Sequence, residues 1–118
     1  MLKEKKYIFH FREFDDGKLL ARGGGTIIFD SAKDVFSIAL CHYKDCFNKK
    51  LGRKIAMARF KGTKDEGRFS RLISVDKGSI TTIEELKTQA LSIYNNLRNF
   101  LLTYEGPTLY LGLSDDIN

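Results

Sequence analysis

Between Ile83 and about Tyr104 apolar residues recur at helical spacing: Ile83, Leu86, Ala90, Ile93, Leu97, Phe100 and Leu101. This i, i+3, i+4 pattern draws one continuous stripe along one helix. Thr82-x-x-Glu85, or Thr81-x-x-Glu84 in the alternative register, is a capping box at its start, and Gly106-Pro107 stops it. A stripe of that length has to be buried, and the segments before it supply a sheet face to bury it on.

Residues 6–14 alternate, with Tyr7, Phe9 and Phe11 on one side and Ile8, His10 and Arg12 on the other, as in a half-buried strand. Asp15-Asp16-Gly17-Lys18 is a tight hairpin turn, because Asp-Gly supplies the positive φ that such turns need. A second strand is expected from Leu19 to Phe29, interrupted by Gly23-Gly24-Gly25, and a third over 35–41, apolar enough to be buried on both faces. A fourth runs from Arg68 to Val75 after the polar connector Gly62–Gly67, and a short fifth is expected at Leu109–Leu113. Residues 114–118 should fray. The order β-β-β-α-β-α-β predicts one α+β domain over 1–118, an antiparallel sheet of four or five strands packed with two helices.

The first of those helices, expected from an Asp45 N-cap to about Lys61, holds the chain's charge asymmetry. Residues 44–61 contain seven basic residues and one acid, whereas the remainder has 13 basic and 14 acidic residues. The net charge of +5 is therefore local. Phe47, Leu51, Ile55 and Ala58 form a narrow apolar face, opposite Lys49, Lys50, Arg53, Lys54 and Lys61. Met57 and Phe60 interrupt the basic face, and acids at i±4 that would relieve the repulsion are nearly absent. A charged helix face is often only solvated, but this pattern favours an anionic partner.

The charged start predicts no secretory signal, and no stretch has the roughly 18 apolar residues of a membrane helix. Two cysteines are too few for a disulfide framework, so a cytoplasmic protein with reduced thiols is expected. Cys41-His42-x-x-x-Cys46 lacks the second ligand cluster a structural zinc site uses, so no metal is expected, and no cofactor. No Ser/His/Asp or Cys/His set is visible, and Asp15, Asp16 and Asp30 belong to turns. The chain reads as a binder rather than an enzyme.

The candidate ligand residues are Arg22, Gly23, Gly24, Gly25 and Thr26, together with Arg53, Arg59 and Arg71. Glycines inside a strand cost stability, and such a stretch either bulges or exposes amides to a phosphate beside Arg22. Neither alternative is excluded by sequence. Arg53 and Arg59 are the phosphate candidates on the basic helix, since guanidinium forks grip phosphate oxygens in pairs. Arg71 follows Phe69, which is core if the fourth strand alternates cleanly and a base-stacking platform if it does not. Gly52, inside a helix, implies close packing by a neighbour or a ligand.

The runs Ala21-Arg22-Gly23-Gly24-Gly25-Thr26, Ala39-Leu40-Cys41 and Lys44-Asp45-x-Phe47-Asn48-Lys49-Lys50-x-Gly52-Arg53-x-Ile55-Ala56-x-Ala58-Arg59 resemble small phage anti-Thoeris "sponge" proteins. The resemblance spans residues 21–60. It implies a small homo-oligomer whose pockets lie between protomers and sequester cyclic ADP-ribose-type signals, in some members cyclic oligonucleotides. Sequence and resemblance together predict a small anionic nucleotide as partner, bound without catalysis in the host cytoplasm. The alternatives are a basic nucleic-acid-binding module and an inhibitor docking on an acidic host protein surface.

Overall fold

The computed structural model describes residues 2–42, 44–62 and 69–102. Its elements are β1 (Lys6–Phe11), β2 (Phe14–Asp15), β3 (Lys18–Leu19), β4 (Gly25–Asp30), β5 (Val35–Leu40), α1 (Lys49–Phe60), β6 (Phe69–Ser74) and α2 (Ile83–Leu102). The main sheet is antiparallel in the order β1-β4-β5-β6, and β2-β3 form a separate two-stranded ribbon. The architecture is α+β, as the alternation of periods predicts. The expected fifth strand and the stop at Gly106-Pro107 lie outside the described residues.

Strand parity builds three layers. Ile27, Phe29, Phe36, Ile38 and Leu40 point one way and pack with Ile80, Leu86, Ala90 and Tyr94 on the α2 side. Ile28 and Ala39 point the other way and meet Ile55 and Ala56 of α1. Covered on both faces, β4 and β5 read as near-continuous apolar runs. Thr82 caps the helix: its Oγ1 accepts from the Glu85 amide at 3.1 Å and donates to the Glu85 carboxylate at 3.1 Å.

The second strand differs from expectation. Gly23 and Gly24 have φ of 74° and 85°, which breaks the extended run, so the sheet strand begins only at Gly25. Its first half becomes β3, paired with β2 across Asp16 and Gly17, whose φ values of 49° and 76° suit a tight hairpin.

Helix α1 also starts later than expected, with Asn48 as N-cap and its Oδ1 accepting from the Leu51 amide at 3.0 Å. Asp45 is not the cap because residues 45–47 are already committed to an extended pairing. Gly23 donates to Asp45, Phe47 donates to Ala21, and Arg22 bridges Cys46.

The buried stripe of α1 is Gly52, Ile55, Ala56 and Arg59, rotated from the predicted Leu51–Ile55–Ala58 face. Gly52 sets that rotation. A Cβ there would lie inside van der Waals contact of Thr26 Oγ1, so the helix axis approaches β4 as only glycine permits. Ser37 Oγ donates to the Ala56 carbonyl at 2.6 Å and fixes the same face. The neighbour that repays the helical glycine is the sheet itself.

Candidate functional site

Helix α1 lies across β4, β5 and β6 and meets the outer strand β1 only marginally. The α1-side residues of β1 therefore remain open. Register places Lys6 opposite Asp30, Ile8 opposite Ile28 and His10 opposite Thr26, and Ile8 is 40% exposed. The result is a groove: Lys6, Ile8, His10 and then Arg12 form its floor, and α1 forms its wall. At about 100° per residue, Lys49, Arg53 and Phe60 fall within about 40° of one another on the α1 flank that faces β1.

At one end of the groove Arg12 lies over the Phe47 ring, 4.6 Å from its centroid, while its Nη2 donates to the Leu20 carbonyl at 2.8 Å. His10 meets Phe47 edge-on at 6.1 Å between centroids. Its Nδ1 stands 2.9 Å from Thr26 Oγ1. Desolvation, and then the charges of Lys49 and Arg53, hold the His10 imidazole below its ordinary value of 6.5. Arg12 and His10 thus meet on the Phe47 ring, and Lys49 and Arg53 bring their charge to His10 beside the start of α1, where helix amides favour an anion.

A folded-state value below the unfolded one means that the unfolded chain takes the His10 proton first as pH falls. His10 therefore lowers native stability progressively as pH drops from about 6.5 towards its depressed folded value. Thermal melts between pH 8 and pH 5 should show this loss. His10→Gln should flatten it.

Of the predicted residues, Arg53 stands in this cluster and is exposed. Arg22 is exposed, with its backbone bridged to Cys46, next to Phe47. Searches of family models, curated proteins and solved structures find no match to this chain.

The other candidates sit elsewhere or serve packing. Gly23, Gly24, Gly25 and Thr26 are buried. Gly23's amide is taken by Asp45, Thr26's hydroxyl sits against His10, and Gly24 is covered by Phe47. Arg59 was expected on the basic face but is only 5% exposed, because it lies one further turn along the Gly52–Ile55–Ala56 stripe. Arg71 pairs with Ile38, so strand parity places it on the α2 side of the sheet, away from Arg53.

Sequence reasoning missed His10, Arg12 and Phe47 as site residues. The alternation of Ile8, His10 and Arg12 already marked one face, and the missing fact was that α1 leaves that face open. Met57 and Phe60, anomalous in the basic face, pack partly against the core cluster of α1. The Cys41 thiol is buried and points at the carbonyls of Asp45 and Cys46, at 3.3 and 3.4 Å. Among the described residues no group of three or more His, Cys, Asp and Glu is placed to hold a metal ion, and no helix is long and apolar enough to cross a membrane. A cleft of about 330 Å³ lies at the start of α2, lined by Val75, Ile80, Glu84 and Glu85 among others; its carboxylates disfavour an anion.

Proposed function

We propose that this protein binds a small phosphate-bearing nucleotide and holds it without turnover, acting by sequestration. The supporting observation is the cluster in which Arg12 and His10 meet the Phe47 ring while the charges of Lys49 and Arg53 act on His10. The cations supply charge-assisted bonds to phosphate, and the guanidinium plane and the ring supply stacking surfaces for a base. The class of ligand that the family resemblance implies is a cyclic nucleotide signal, with cyclic ADP-ribose isomers foremost. Homo-oligomerisation would let a second protomer close over this open groove.

Native mass spectrometry of the freshly purified protein reads the oligomer and any co-purified nucleotide together. Denaturing the loaded complex should release the ligand intact; recovery of a cleaved or modified nucleotide would overturn sequestration. Arg53→Ala should weaken binding of that ligand by roughly tenfold or more, the ~1.5–3 kcal/mol of a hydrogen bond to a charged group. Isothermal titration measures it.

A further inference from the structure

The groove does not end at Arg12 and Phe47. At its far end Lys6 Nζ lies 5.7 Å from the centroid of Phe60, repeating the pairing of a cation with an aromatic ring, and 3.9 Å from Asp30 Oδ2, a loose ion pair that a phosphate has to share or displace. Between the two pairs the floor is the half-exposed Ile8 and the imidazole of His10, and the wall carries Lys49 and Arg53. Lys6 and Arg12, which mark the two pairs, are six residue steps apart along β1 and the residue after it, about 20 Å. The twelve residues of α1 give about 18 Å for the same span. Helix and strand run in opposite senses along the groove, since the Lys49 end faces His10 and the Phe60 end faces Lys6.

We infer that this groove is a track for a short linear single strand of nucleic acid, with one stacking station at Phe47 and a second at Phe60. The inference rests on the nucleotide reading for its first station and adds the second. A cation–ring pair at each end, with Lys49 and Arg53 between them, offers a strand stacking surfaces at its ends and cations for the intervening phosphates, and both stations tolerate any base. About 20 Å suits an occupant of roughly four nucleotides, the lower end of single-strand site sizes. Lys6 is the residue that tells a strand from a mononucleotide. A ligand seated at Arg12 reaches it only if it is long enough to cross Ile8.

The test is fluorescence anisotropy or calorimetry with dTMP, (dT)2, (dT)4 and (dT)8, and with a blunt hairpin duplex, at low and moderate salt. Affinity should rise at least ~10-fold from dTMP to (dT)4 and then level off, the gain expected of one further stacked base. Lys6→Gln should abolish most of that gain and leave dTMP binding unchanged. Phe60→Leu, which keeps apolar volume against the α1 core, should do the same. Equal affinity for dTMP and (dT)4, or equal loss for all lengths in Lys6→Gln, would overturn the track and leave the nucleotide reading standing. Duplex binding as tight as (dT)8 would replace it with a phosphate-backbone surface. Failure of every probe would overturn the track, whereas the cyclic-nucleotide reading falls only if the protein also carries and binds no such signal.

Discussion

Gly24→Ala should lower stability by at least ~3 kcal/mol, enough to leave a domain of this size largely unfolded in mild denaturant. Two independent costs combine. The backbone at Gly24 has a φ of 85°, a region that side chains rarely adopt. A Cβ there would also press onto the Phe11 carbonyl oxygen and stand 2.8 Å from Phe47 Cδ1. Phe11 is held in register opposite Gly25, and Phe47 is fixed between Arg12 and His10, so neither neighbour can give way. Gly17 is the control, because its φ is 76° but its Cβ would meet open space. Gly17→Ala should cost only about 1 kcal/mol from backbone strain. Urea titrations of both variants decide the matter. Equal losses would refute the packing account of the glycine run.

Glu13→Ala should be the next most damaging change, at roughly 2–3 kcal/mol. Just beyond β1, Glu13 Oε2 accepts from the Tyr94 hydroxyl and, at 2.6 Å, from Arg98 Nε, tying the sheet to α2. Tyr94 is only 4% exposed, and its ring stacks on Phe11 at 4.8 Å between centroids. Removing the carboxylate leaves a buried hydroxyl and a guanidinium without their acceptor. Burial raises the Glu13 carboxyl, but the bonds from Arg98 and Tyr94 more than offset it and hold it below its ordinary 4.5. Burial first, and the bond to Glu13 second, push the Tyr94 phenol far up, so it stays a neutral donor. A depressed carboxylate contributes its full stabilisation above about pH 4.5 and loses it as pH falls through the folded value. Tyr94→Phe combined with Glu13→Ala should cost clearly less than the sum of the two single changes. Additive losses would mean that the bond is not formed in solution.

The layers of this fold are legible in the chain because each period reports one buried face. Tyr7, Phe9 and Phe11, and likewise Leu86 and Ala90, sit on the core side that their spacing announces. What spacing leaves open is which face a second partner covers, and how completely. Arg71 shares parity with Ile38 and so faces α2; the assignment to Arg53's site depended on the three-dimensional placement of α1, which no local pattern encodes. Arg59 illustrates the opposite limit. Its charge marks it as exposed, yet Gly52 pulls the helix axis towards Thr26 and carries Arg59 inward with the stripe. Tyr94 escaped notice because a tyrosine adds little to an apolar stripe, although it is more deeply buried than Ile83. Asp45 and Asn48 are equally good caps in sequence, and the pairing of 45–47 with 21–23 chooses between them.

Helix α1 opens with Lys49 and Lys50 and has no acid in its first turn. Cations at that end oppose the helix dipole and repel one another. The isolated protein is thus a frustrated molecule, holding a local conflict that folding alone does not resolve. An anion settling there would act as the missing counter-ion, so occupancy and fold would reinforce one another. On the proposed reading, the first turn of α1 would be half of an ion pair whose other half arrives from solution.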